Sequence, residues 1–194
     1  MVKRKHKRAA IHHSETLAIS GDRPQRLVVV SDTHGRPHPA SAKHIAAQCP
    51  TAILHAGDIG SGDVIEGLRE LAPTIAVRGN MDEPSATIPD SADITVVRDG
   101  RAIIKVLLRH SAVYGPKLSA EAARHAAAHH ADLIVCGHSH VPFIGRDRGL
   151  LVFNPGSIGP RRFQLPTTFG VIDITVDKID LRHINCETGD AWMP

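Results

Sequence analysis

Aromatic side chains are scarce in this chain of 194 residues: one Trp, one Tyr and four Phe make up 3% of it. A core built on stacked rings is excluded, and Val, Ile, Leu and Ala must fill the interior, as they do in sheets covered by helices. Cysteine is scarce as well. Cys49, Cys136 and Cys186 are odd in number, far apart, and form no CxxC pair or zinc-finger spacing, which excludes a disulfide framework and fits reduced, structural thiols. No apolar run approaches the roughly 20 residues of a membrane span, and the basic N-terminus is not followed by a hydrophobic segment of signal-peptide length. The expectation is a soluble, cytoplasmic protein with no membrane partner.

The body of the chain also lacks an excess of either charge. The formal net charge is +3, but Lys3, Arg4, Lys5, Lys7 and Arg8 are five of the 23 basic residues, which leaves 18 against 20 acidic ones. A basic groove in the fold is therefore not implied. The first eight residues read as a solvated arm, with contact to RNA, DNA or an anionic membrane as the other reading, marked by weaker binding at higher salt. Residues 1–24 lack periodicity and end in the breaker cluster Gly21-Asp22-Arg23-Pro24, so a flexible basic tail is expected up to residue 24 and a single domain over 25–194.

What is present is alternation. Leu27-Val28-Val29-Val30 is a continuous run suited to a strand buried on both faces, followed by an Ala-rich helix from Pro39 to Gln48. A strand from Thr51 to His55, a helix from Asp63 to Leu71 and a strand from Thr74 to Arg78 repeat the βαβ pattern. Later, Ile94 to Arg98 and Arg101 to Leu108 flank Asp99-Gly100, a two-residue hairpin signal of type I′. A helix from Ser119 to His130 leads into a strand from Asp132 to Cys136, and Leu150 to Phe153, Phe169 to Thr175 and Ile179 to Ile184 complete the strands. Parallel units early and hairpins late predict a mixed-sheet α/β protein, with two sheets face to face and helices outside.

Nearly every apolar strand runs directly into a short loop carrying Asp, His or Asn. Val30 gives way to "SDTHG", Leu54 to "HAGD", Val77 to "RGNMD", Leu108 to "RHS" and Val135 to "CGHSH". In open α/β sheets, loops at the carboxyl ends of strands converge on one crevice. In extended chain, positions i and i+2 share a face, so Asp32 with His34, and His138 with His140, can each present two ligands to one place. Asp58 adds a carboxylate, Asn80 an amide oxygen and His110 an imidazole, while glycines at 35, 57, 79 and 137 allow tight turns beside them. A nitrogen and oxygen set without thiolate suits Mn, Fe, Zn or similar divalent ions. Each element alone is also explained by a helix cap or a surface turn; five in order, each just after a strand, are not.

In these motifs the chain resembles the calcineurin-like metallophosphoesterases, in particular their small single-domain bacterial and archaeal phosphodiesterases. The family pattern D-x-H, G-D, G-N-H-[D/E], H, G-H-x-H is matched by Asp32-Thr33-His34, Gly57-Asp58, Gly79-Asn80-Met81-Asp82, His110 and Gly137-His138-Ser139-His140, and the resemblance covers about residues 26 to 185. Asn154-Pro155-Gly156-Ser157 adds to it. The resemblance implies a four-layer αββα sandwich with helices outside two β-sheets. It also implies two divalent metal ions, Mn first and Ni, Fe or Zn as alternatives. Asp32, His34, Asp58 and His140 would hold one ion, and Asp58, Asn80, His110 and His138 the other, with Asp58, Asn80 and His110 counted as catalytic. The implied reaction is hydrolysis of small-molecule phosphate esters, diesters before monoesters, by a hydroxide shared between the ions.

Two departures stand out. Where most of the superfamily has a histidine that helps the leaving group depart, this chain has Met81, whose thioether has no proton to give. The change also leaves Asp82 without its usual imidazole partner. At "RHSA" the chain keeps His110 but reads Ser111-Ala112 in place of the subgroup's glycine and second histidine. Arg161 and Arg162 are weaker candidates for contact with a substrate phosphate. His44, His125, His129 and His130 read as ordinary helix histidines, His12 and His13 as part of the tail, and His55 as core or a support for Asp58. Two competing functions are a non-catalytic scaffold, because the same small fold resembles a retromer subunit used for protein contacts, and a nuclease guided by the basic tail.

Overall fold

A computed structural model describes residues 9–20, 24–175 and 177–193. In chain order the elements are β1 (His12–Ile19), β2 (Gln25–Val30), α1 (Ser41–Ala46), β3 (Ala52–His55), α2 (Gly62–Arg69), β4 (Thr74–Ala76), β5 (Ser91–Arg98) and β6 (Arg101–Arg109). There follow β7 (Val113–Tyr114), β8 (Lys117–Leu118), α3 (Ala120–Ala128), β9 (Leu133–Val135), β10 (Phe143–Asp147), β11 (Leu150–Asn154), β12 (Thr168–Ile174), β13 (Ile179–Asn185) and β14 (Ala191–Trp192). Two six-stranded sheets result, ordered β1-β5-β6-β9-β11-β10 and β14-β13-β12-β2-β3-β4, beside a small β7-β8 ribbon.

The strand alternation sorts side chains into layers. Leu27 and Val29 on β2 enter the core between the two sheets, with Ala52 and Leu54, Val106 and Leu108, Leu133 and Val135, and Ile172 and Ile174. Their neighbours Val28, Val30 and Ile53 point the other way, against Ile45 of α1 and Val64, Ile65 and Leu68 of α2. On the far side Leu107, Ile134 and Val152 pack under Ala122 and Ala126 of α3. The layers are thus helix, sheet, sheet, helix, and the strands that read as unbroken apolar runs are those buried on both faces. Leu54 is fully buried, so truncating it to Ala costs roughly 2–5 kcal/mol.

Helix starts follow local chemistry. Ser61 caps α2 by accepting from the Asp63 N–H at 3.4 Å, and Ser119 caps α3 by accepting from the Ala122 N–H at 3.1 Å. At the β5–β6 hairpin, Asp99 (φ 49°) and Gly100 (φ 77°) both take the left-handed conformation that a type I′ turn requires.

One expectation is corrected. The chain before Gln25 is not all tail: His12–Ile19 lies parallel to β5, His12 opposite Ser91 and Ile19 opposite Arg98. Its sequence, HHSETLAI, carries an apolar signal only at its end, where Ile19 and Leu17 meet the inter-sheet core. The rest is an edge strand with three consecutive exposed residues, and its partner lies some eighty positions away, so no local period announces it. The basic residues 1–8 and Gly21 to Arg23 lie outside the described residues. The short strands β7, β8, β10 and β14 add to the expected set, and Cys49, expected to be structural, is exposed, whereas Cys136 and Cys186 are buried.

Candidate metal centre

Sheet register explains why the five polar loops meet. Strands β2, β3 and β4 are parallel neighbours in one sheet, and β6 and β9 in the other. Their carboxyl ends therefore lie along one rim of the sandwich. Asp32 and His34 follow β2, Asp58 follows β3, Asn80 follows β4, His110 follows β6, and His138 and His140 follow β9.

The donor atoms fall into two facing groups. In one, His140 Nε2 is 3.3 Å from Asp32 Oδ1 and 3.3 Å from His34 Nε2, whose rings stack. In the other, Asn80 Oδ1 is 3.1 Å from His110 Nε2 and 2.8 Å from His138 Nδ1. Asp58 spans them, with Oδ1 at 3.4 Å from His110 Nε2 and Oδ2 at 3.9 Å from His34 Nε2. Asp32 also reaches across, its Oδ1 lying 4.0 Å from His110 Nε2. Three-residue sets with the spacing of a metal site are Asp32, His34 and His140, and Asp32, Asp58 and His110.

The chemistry of the donor set fits cations. His110 Nδ1 sits 2.7 Å from the Ala56 carbonyl, which can only accept, so Nδ1 carries a proton and Nε2 is the nitrogen turned toward the oxygens of Asn80 and Asp58. Asp32 Oδ1 is buried without a hydrogen-bond partner. Lone pairs converging in a buried space repel one another unless a positive charge enters. The titration shifts agree. Burial raises the pKa of Asp32 against the pull of His110. Burial also works against the charge on Asp58, but hydrogen bonds from His110 and the Met81 N–H, together with the His110 and His34 charges, hold it down at about 2. Burial alone would lower the pKa of His110, and the Asp58 and Asp32 carboxylates more than reverse that, so the pocket favours a cation. His140 is pushed down to about 4, first by burial and then by the Arg162 charge.

The backbone is bent to make this arrangement. Asp32, His34, Asp58, His138 and His140 all have positive φ, between 48° and 71°, a conformation that costs of order 1 kcal/mol or more for each non-glycine residue. This corrects the expectation that extended chain aligns i with i+2. Left-handed turns aim these side chains, and His138 and His140 serve opposite halves of the centre, not one. A Cβ at Gly79 would lie 2.0 Å from Asp58 Oδ1, and one at Gly137 1.9 Å from Ser31 Oγ; only glycine lets these loops close on the carboxylates.

Several further residues brace these loops. Asp82 accepts from the N–H groups of Ile59 at 3.0 Å, Gly60 at 2.9 Å and Gly79 at 2.7 Å, tying the β3 and β4 loops together. His55 is fully buried, with Nε2 3.0 Å from Thr33 Oγ1 and Nδ1 accepting from the Gly57 N–H. Asn154 donates to the Gly137 carbonyl at 2.7 Å and Ser157 to the Asp32 carbonyl at 3.0 Å, so a sixth loop braces two of the five. Met81 projects its side chain to solvent, 66% exposed, while its N–H donates to Asp58 Oδ1 at 2.9 Å. Of the two candidate arginines, Arg161 pairs with Glu187 at 2.8 Å on the surface, and Arg162 brings its charge to His140.

The chain belongs to the calcineurin-like phosphoesterase superfamily, whose domain matches residues 26–177. It is 34% identical over 161 residues to a probable metallophosphoesterase of Methanothermobacter thermautotrophicus, covering 80% of this chain and 90% of that one. Phosphodiesterase YfcE of Escherichia coli is 30% identical over 113 residues, 57% of this chain and 58% of that protein. Among solved structures, YfcE superposes with a TM-score of 0.60 at 21% identity, covering 87% of this chain and 97% of that chain. Zinc-bound Vps29 of Entamoeba histolytica superposes with 0.66 at 20% identity, covering 87% and 96%. Both share the four-layer fold. No helix among the described residues is long and apolar enough to cross a membrane.

Proposed function

We propose that this protein hydrolyses phosphate esters, with diesters preferred to monoesters, and that Asp32, His34, Asp58 and His140 hold one divalent ion while Asp58, Asn80, His110 and His138 hold another. The observation that carries the reading is the convergence of seven nitrogen and oxygen donors, the Asp32 and Asp58 carboxylates among them, from five strand ends of two sheets. When bound, two such ions supply a nucleophile at neutral pH and neutralise charge on the phosphoryl group. Manganese is the preferred ion for this soft-donor-free set, with Ni, Fe or Zn as alternatives.

The chain's own residues set the rest of the chemistry. The Met81 N–H and His110 keep Asp58 ionised, so that it presents one oxygen to each half of the centre. No side chain at position 81 hands a proton to the departing oxygen, and Asp82 is engaged with three backbone N–H groups. Esters with acidic leaving groups are therefore the favoured substrates, because they depart without a proton. Arg162, exposed and with its charge felt at His140, is the better of the two candidate arginines for contact with a substrate phosphate oxygen. Metal-stripped protein reconstituted in turn with Mn, Ni, Fe, Zn and Mg, and assayed on an aryl diester and an aryl monoester with the same leaving group, tests this. Restored diester hydrolysis supports the reading; no turnover of either ester with two ions bound removes it.

The likeness to Vps29 favours a second reading, a scaffold that uses the same fold for protein contacts. Hydrolysis of simple aryl phosphates would exclude that as the sole role.

A further inference from the structure

We infer that His12, Asp93, His125 and His129 form a separate binding site for one divalent ion of the zinc class, which clamps strand β1 to helix α3. The site lies on the outer face of the β1-β5-β6 sheet, under α3, and shares no residue with the centre at the strand ends. His12 sits opposite Ser91 in the parallel register, and Asp93 sits opposite Leu107, which packs beneath α3. His125 and His129 are one turn apart, so their rings share the helix face that looks onto the sheet.

The four ligand atoms all lie within 4.8 Å of one another. Asp93 Oδ2 is 2.7 Å from His12 Nε2, 2.7 Å from His129 Nδ1 and 3.7 Å from His125 Nε2. The three rings face each other, with centroids 4.5, 5.2 and 5.0 Å apart. Tetrahedral zinc, at ~2.0–2.2 Å from nitrogen and oxygen ligands, places those ligands about 3.3–3.6 Å apart, so small side-chain shifts of both signs suffice. His12 Nδ1 is 2.9 Å from Ser91 Oγ, the outer hydrogen bond that commonly orients a ligating imidazole and leaves Nε2 for the ion.

Hydrogen bonding alone leaves this cluster incomplete. One carboxylate oxygen faces three rings but is hydrogen-bonded to His12 alone, and the other oxygen, Asp93 Oδ1, is buried without a partner. Three neutral imidazoles and one carboxylate with no thiolate suit Zn and its neighbours over Mg or Ca. All four positions are filled by the chain, which describes a closed, structural site in which binding energy becomes folding energy. The element held is β1, an edge strand with few apolar contacts of its own.

The test uses the untagged full chain. In a variant with the strand-end centre disabled, Asp58→Asn with His110→Gln, the metal-stripped protein should retain one equivalent of zinc after desalting, and zinc should raise its thermal midpoint. Adding His125→Gln and His129→Gln should remove both effects. Zinc absorption spectroscopy of the disabled variant, which needs no change in the new site, should show several imidazoles and one carboxylate oxygen. No zinc retained, retention unaffected by the glutamine pair, or a zinc shell without imidazole would each overturn the proposal.

Discussion

The centre at the strand ends and the cluster beneath α3 use the same donor types but are assembled differently. In the first, each ligand lies within a few residues of a strand terminus, and parallel pairing of β2 with β3 and β4, and of β6 with β9, brings those termini to one rim. In the second, one helix turn supplies two histidines, while Asp93 comes from mid-strand and His12 from an edge strand some eighty residues earlier. Strand-end chemistry shows in sequence because a loop motif and its strand are adjacent. Chemistry on the face of a sheet depends on a pairing partner that no local period reveals.

Disabling Asp58 should have the largest effect. Asp58→Ala removes the oxygens facing both halves of the centre, and hydrolysis of an aryl diester should fall by at least about 10³-fold, roughly 4 kcal/mol. The fall should appear in kcat, with circular dichroism unchanged. Residual activity near wild type would break the distinction between the two clusters, since the strand-end centre would then be dispensable.

Acid should come next, through a residue that supports the strand-end loops. His55 is neutral in the fold: its Nδ1 accepts from the Gly57 N–H, so protonation there would set N–H against N–H. Burial pushes its pKa from 6.5 down to about 4. Below pH 6.5 the unfolded chain gains a proton that the folded chain refuses. Stability is thus complete above pH 6.5 and declines as the pH falls to about 4, by on the order of 3 kcal/mol for this group. Urea unfolding of metal-free protein across that range measures it, and His55→Gln should flatten the slope. An equal slope in the variant would assign the loss to other groups.

Asp82 sharpens the comparison further. Replacing it with Ala strands the N–H groups of Ile59, Gly60 and Gly79 and should cost about 2–3 kcal/mol. Metal affinity at the strand ends should fall while zinc held by His125 and His129 stays, as read by competitive chelator titration. The smallest effect is expected from Met81→His. It restores a proton donor whose orienting carboxylate is already engaged, so poor leaving groups should gain about 10-fold, below the 10²–10⁴ typical of a well-placed acid. A plot of rate against leaving-group pKa should be steep in the wild type and shallower in the variant.

Particular residues show how far sequence reading reaches. The double-sided burial of Leu27 to Val30 and the hairpin at Asp99-Gly100 were legible because each rests on spacing within a short window, and the grouping of Asp32, His34, Asp58, Asn80, His110, His138 and His140 because five short motifs follow strands in order. The aim of the ligands was not. Left-handed backbone at Asp32 and His140 is set by the loops packed around them, and an alternation argument assumes it away. Asp82 read as a residue without a partner, because backbone N–H groups from another loop leave no mark in sequence. His12 read as tail for the same reason that β1 did.

The measurement that bears most directly on the central claim is electron paramagnetic resonance of the manganese-loaded protein, wild type against Asp58→Ala. Two exchange-coupled ions should give their signal in the wild type and lose it in the variant. Only isolated, uncoupled manganese in the wild type would contradict it.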